Sequence, residues 1–227
     1  LSKFNLIYLY RLTKTLKNFN FQKVYDLQNS SRTTFYKNIL FPKSKLDIWS
    51  SSETTLSINI SKTEFDKNSV LDRFNHQLKT SNLNTRNTLK PDFSWACENI
   101  DNIKLSYNLK KYILLFPFCS AHLNIKKWPY YNELIELIKN KHNSKFKIVI
   151  APGPLEIKDT KNINAISILD NEKILDISQL SSLIKDSSYV IANDTGPAHM
   201  AAHLKAKGLA LFGKHTTAFK VSIEREN

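Results

Sequence analysis

The sequence predicts an α/β fold whose C-terminal half is a doubly wound parallel sheet, and three observations predict it. From residue 112 onward, short apolar runs alternate with segments of helical spacing. The runs are continuously apolar, as strands buried on both faces are. The segments between them open on residues that suit a first helical turn, Pro129 and Pro197 among them. Strand and helix in alternation give parallel pairing with right-handed crossovers.

Taken in order, Leu6 to Lys17 has apolar residues at helical spacing, Lys23 to Leu27 reads as a short strand, and Ser30 to Leu40 as the helix after it. Residues 50 to 90 are rich in Ser, Asn, Thr and Lys, and within them Phe65 to Lys79 reads as one amphipathic helix. Pro91 to Asn108 reads as an irregular crossing segment. Strands follow at Tyr112 to Phe118, Lys147 to Ala151, Ala165 to Leu169, Tyr189 to Ala192 and Gly208 to Phe212. Between them come helices starting near Pro129, then Ser178 to Lys185 and Pro197 to Leu204. The expected division is a partial N-terminal α/β domain over residues 1–108 and a ligand-binding domain over 109–227.

Composition narrows the function classes. The chain has 227 residues, 41% of them apolar, and only 4 glycines, against an average share of about 7%. Each glycine therefore marks a backbone position worth inspecting. Cys97 and Cys119 lie far apart without a metal-ligand spacing and are expected as free thiols of a reducing cytoplasm. No succession of residues resembles a signal peptide, and no stretch approaches the ~20 apolar residues of a membrane helix. The net charge of +13 suits nucleic acid, an anionic membrane face or a phosphorylated substrate. Its lysines are scattered, with no basic arm and no aromatic strand of the RNA-binding kind, which argues against nucleic acid.

In open parallel sheets ligands bind beyond the carboxyl ends of the strands. The polar residues there are Ser120, His122 and Lys126, then Gly153 and Glu156, then Asn193 to Gly196, then Gly213 and Thr216. The segment Asn193-Asp194-Thr195-Gly196-Pro197-Ala198-His199 suits a diphosphate. Gly196 admits close backbone approach, and the free N–H groups with the positive end of the helix dipole attract an anion. Thr195 and His199 add donors. Asp194 would repel phosphate and suits sugar hydroxyls better. Asp194 or Thr195 also reads as a plain helix cap, and His199 as a packed helix residue. Lys126 suits a phosphate and equally a solvated surface position. Glu156 suits a ribose diol and equally an exposed helix start.

Read together, Lys126-Lys127-Trp128-Pro129, Gly153 to Glu156, Asp194-Thr195-Gly196-Pro197-Ala198-His199 and Leu211-Phe212-Gly213 resemble the ADP-heptose:lipopolysaccharide heptosyltransferases, glycosyltransferase family nine. A weaker likeness lies in Asp26-Leu27-Gln28 and Arg32, at the family's strand-to-helix turn in the acceptor domain. The resemblance implies a GT-B arrangement of two Rossmann-like domains and inverting transfer of a heptose-like sugar from an ADP-sugar to a lipopolysaccharide core acceptor. No metal or other cofactor is implied, because lysine, hydroxyl and helix-dipole groups stabilise the leaving diphosphate. It gives Ser120, Lys126, Thr195 and Gly196 to the diphosphate, His199 beside it, Glu156 to the ribose, Asp194 to the transferred sugar and the backbone near Leu175 to the adenine. Gln28 and Arg32 fall on the acceptor side.

The family's general base is an aspartate near a glycine-rich turn after the first strand, and nothing in this sequence matches it, so the catalytic residue is unassigned. The chain is expected to be a fragment lacking the start and the end, able to bind a donor without transferring its sugar. It departs from the family at Ala121 and His122, where hydroxyl residues are usual, and at Gly213-Lys214-His215-Thr216, which replaces Gly-Pro-Thr. The expected location is the cytoplasm, with peripheral contact to the anionic inner membrane. Two other readings are a GT-B nucleotide-sugar epimerase and a noncatalytic nucleotide or polyanion binder, the latter marked by strong salt dependence.

Overall fold

The structure, a computed structural model, describes residues 6–19, 21–40, 48–86, 88–143 and 145–224. Contacts divide the chain into two units, Leu1–Leu89 and Lys90–Asn227.

In the first unit α1 (Leu6–Lys17) precedes β1 (Val24–Tyr25), α2 (Ser31–Leu40), β2 (Trp49–Ser50), α3 (Lys62–Phe65) and α4 (Val70–Thr80). β1 and β2 pair in parallel, Val24 opposite Trp49. The buried amide of Gln77 in α4 donates to Asp26 O at 3.1 Å and Ser50 O at 3.0 Å, which satisfies carbonyls at the ends of both strands. The Asp26 carboxylate accepts from the N–H groups of Gln28 and Asn29, at 3.1 and 2.9 Å, and so turns the chain toward α2. One helix is expected over Phe65 to Lys79, and the structure has two. The break falls at Ser69, whose hydroxyl accepts from the Asp72 N–H and starts α4 afresh.

The second unit carries a five-stranded, all-parallel sheet: β3 (Tyr112–Phe116), β4 (Lys147–Ile150), β5 (Ile166–Ser167), β6 (Tyr189–Asn193) and β7 (Gly208–Leu211), in the order β5-β4-β3-β6-β7. Its helices are α5 (Asp101–Ser106), α6 (Tyr131–Lys141), α7 (Ile177–Lys185), α8 (Gly196–His203) and α9 (Ala218–Val221). Alternate strand residues point to opposite faces. Leu114, Phe116, Val149, Val190 and Ala192 share one core with Ile103, Leu183, Ile184 and Ala198, under α5, α7 and α8. Ile113, Leu115, Ile148, Ile150 and Ile191 share the other with Tyr131 and Ile135 of α6. β3 is buried from end to end, which is why its sequence is apolar without alternation.

Pro91 to Asn108, read from the sequence as an irregular crossing segment within the first 108 residues, belong by their contacts to the unit Lys90–Asn227. Ile100 and Ile103 lie in the core beside β3, and α5 occupies six residues of the segment, too few for a helical period to register. At Gly208 an added Cβ would lie 2.8 Å from Val190 O, so glycine lets β7 close onto β6. Among the described residues no helix is long and apolar enough to cross a membrane.

Candidate functional site

After β3 the chain builds β4 and β5 on one side, then returns to place β6 and β7 on the other. β3 and β6 are therefore neighbours whose following loops diverge, and a crevice opens beyond their carboxyl ends.

Asn193, the last residue of β6, fixes that crevice. Its fully buried amide donates to Pro117 O at 3.0 Å, and its Oδ1 accepts from the Trp128 N–H at 3.3 Å. The Tyr131 hydroxyl lies between Phe116 O, at 3.2 Å, and Asn193 Oδ1, at 3.3 Å. One side chain so fastens the ends of β3 and β6 to the approach of α6, with every buried polar atom partnered.

The next residue, Asp194, is 2% exposed. Its Oδ2 accepts from Lys126 Nζ at 2.8 Å and from His215 Nε2 at 2.9 Å, and Lys126 also donates to the Asp194 carbonyl at 3.1 Å. His199 Nε2 stands 3.8 Å from Oδ1, within electrostatic reach but beyond a hydrogen bond. Burial by itself raises the carboxyl; hydrogen bonds from Lys126 and His215, with the charges of Lys126 and His199, outweigh it and hold Asp194 below 3.8. Burial lowers His199 below 6.5, the Asp194 charge opposes this, and Lys126 adds to the lowering. His199 is thus a neutral imidazole at pH 7.

Separate elements deliver these groups. Lys126 ends the 3-10 turn Ala121–Lys126 that follows β3, and His215 sits in the loop after β7. Gly213 lets that loop reach the turn, since an added Cβ would lie 2.9 Å from Ile125 O. His199 lies inside α8.

Neither cap reading of the sequence holds. The Asp194 carboxylate faces Lys126 and His215, and the Thr195 hydroxyl donates backward to Asn193 O at 3.2 Å. Thr195 occupies the cap position of α8 without capping it. Thr195, Gly196 and Pro197 instead line a cleft of about 560 Å³, together with Ser120, Gly153, Glu156 and the apolar Leu175 and Leu180. That volume is in the range of small-molecule and cofactor sites. An added Cβ at Gly196 would meet no protein atom within 4 Å, so the space beside it is open. Glu156 spends one carboxylate oxygen on the Gly153 N–H, at 2.7 Å.

Of the residues singled out from the sequence, Ser120, Glu156, Thr195 and Gly196 meet in this cleft, together with the backbone near Leu175. Lys126, Asp194 and His199 meet in the ion cluster, which adjoins the cleft through the peptide bond from Asp194 to Thr195. His122 is exposed and lines neither. Gln28 and Arg32 are exposed residues of the first unit, after β1 and in the first turn of α2. Sequence reasoning missed His215 and the fastening role of Asn193. Among the described residues no three His, Cys, Asp or Glu side chains gather as a metal site.

The family model for glycosyltransferase family 9 (heptosyltransferase) matches residues 9–226. Three solved structures are similar. The E. coli heptosyltransferase WaaC with ADP is 16% identical, covers 95% of this chain and 68% of its own, and has a TM-score of 0.62. The glycosyl transferase family 9 protein from Veillonella parvula is 15% identical, with 94% and 64% covered and a TM-score of 0.64. E. coli ADP-heptose lps heptosyltransferase II is 19% identical, with 52% and 38% covered and a TM-score of 0.41. The chain thus spans between 38% and 68% of the length of these proteins. At such identities the likeness to the first two is one of fold, the α/β fold of GT-B heptosyltransferases. No curated protein matches the chain by sequence.

Proposed function

The chain belongs to glycosyltransferase family 9 (heptosyltransferase), and on that premise we propose that its second unit holds an ADP-sugar whose heptose-like sugar passes, with inversion, to a lipopolysaccharide core acceptor. The observation that carries this reading is the cleft at the β3–β6 switch point, lined both by the uncapped opening of α8 and by the apolar Leu175 and Leu180. It matches a diphosphate at one end and a base at the other.

In this reading the Lys126 ammonium, the hydroxyls of Ser120 and Thr195 and the first turn of α8 surround the diphosphate, with His199 beside it as a neutral donor. As the bond to the sugar breaks, negative charge grows on the leaving phosphate, where these groups are already placed. No divalent metal is required, and none is assigned a ligand set. Glu156 accepts from a ribose hydroxyl through its second oxygen, and Asp194 from a hydroxyl of the transferred sugar. Gln28 and Arg32 serve the acceptor. The net charge of +13 favours work at the cytoplasmic face of an anionic membrane.

Calorimetric titration with ADP and ADP-heptose, with EDTA present, tests the reading. Lys126→Ala weakens both ligands about tenfold, as loss of a charge-assisted contact does. Asp194→Ala weakens ADP-heptose relative to ADP, because only the sugar touches it. Gly196→Ala leaves the unfolding temperature unchanged yet lowers both affinities about tenfold, since its methyl enters the ligand's space. A folded wild-type chain that binds neither ligand sinks the reading.

A further inference from the structure

Lys126 is given two positions at once. It is the cation proposed for the diphosphate, and it already lies 2.8 Å from the Asp194 carboxylate. Moving to a phosphate would withdraw it from a side chain that is 3% exposed, and a buried carboxylate that loses its cation is strongly disfavoured.

We propose that His215 is a positioning residue, the standby partner of Asp194 that lets Lys126 leave for an incoming diphosphate without stranding the buried carboxylate. The destination of Lys126 rests on the donor reading above; the exchange of partners is a property of the chain itself.

The geometry supports this role for His215 and for no other neighbour. His215 Nε2 reaches the same oxygen that Lys126 holds, at 2.9 Å. An ionised carboxylate only accepts, so Nε2 carries the proton. The other ring nitrogen, Nδ1, is buried without a partner among the described residues, and the ring has no competing hydrogen bond to hold it elsewhere. Gly213 holds the His215 loop against Ile125, next to Lys126 in the same turn, so the histidine stays in place when the lysine side chain moves. His199 stands 3.8 Å from the other oxygen and cannot substitute.

Two measurements on the full chain test the exchange. The first needs no ligand: unfolding temperatures of wild type, Lys126→Ala, His215→Ala and the double variant. Each single change leaves one partner on Asp194 and lowers the midpoint by about 3 °C, whereas the double change strands the carboxylate and lowers it by about 10 °C or more. Strict additivity overturns the proposal. The second is ADP affinity. Without His215 the lysine is held more tightly by Asp194, so His215→Ala weakens ADP about tenfold. His215→Gln, whose amide N–H can meet the same oxygen, recovers most of it. In the Lys126→Ala background His215→Ala changes ADP affinity by less than about twofold, because its effect passes through the lysine. A loss that persists in that background marks a merely structural role and overturns the proposal. Non-additive unfolding in a chain that binds no ADP leaves the exchange standing and removes the donor reading instead.

Discussion

Two donors share one oxygen at Asp194, and the acid response of the chain follows from that arrangement. The folded carboxyl titrates below 3.8, so its contribution to stability is present above that pH and is lost as pH falls through the lower folded value. His199 is also lowered, below 6.5, so the unfolded chain takes up that proton first and stability declines as pH falls from 6.5 through the folded value. The expected profile of unfolding temperature against pH is level near pH 7, declines as pH falls below 6.5 and declines further below 3.8. His199→Gln removes the upper decline and leaves the lower one; a profile unchanged by His199→Gln rejects the assignment. At this scale the sequence was legible in which polar residues follow the strand ends: Lys126, Glu156 and Thr195 lie in the loops after β3, β4 and β6. It was silent on His215, whose partner lies 21 positions earlier and is brought near by the pairing of β6 with β7.

Helices and strands meet at Asn193 in a way that spacing does not encode. An asparagine after an apolar run reads as the start of a loop, yet this one is buried and binds the ends of β3 and β6 to the approach of α6. Asn193→Ala leaves Pro117 O and the Trp128 N–H without their partner. The expected loss is about 2–4 kcal/mol, read as a lower urea midpoint at constant slope. Asn193→Asp sets a carboxylate oxygen against Pro117 O in a fully buried site, so at pH 7 it costs at least as much as alanine; a clearly smaller loss would mean that the donation to Pro117 contributes nothing. The elements themselves were largely legible because β3, β4 and β6 are apolar on both faces and α8 starts on a glycine and a proline. The errors fall where tertiary packing or a local cap decides. α5 is helical because Ile103 docks beside β3, and α3 and α4 separate because Ser69 bonds its own backbone.

At the scale of the molecule, each unit has its own strands, and the second has two cores, one on each face of its sheet. Residues 90–227 alone are expected to unfold cooperatively and to bind ADP within about threefold of the full chain; a tenfold deficit would show that the first unit contributes to the nucleotide site. The family pattern was legible in the loops of the second unit, whereas Gln28 and Arg32 of the first had only a short turn to mark them. The strand order has one more consequence, for the newborn chain. Synthesis runs from the N-terminus, so β3 emerges and can pair with β4 well before β6 exists. Until then the apolar strand Tyr112–Phe116 keeps one edge bare, open to adhesion with other nascent chains or capture by a chaperone. The same late pairing brings Asn193 and Asp194 to β3, so a nucleotide can stabilise only a polypeptide whose synthesis has passed them.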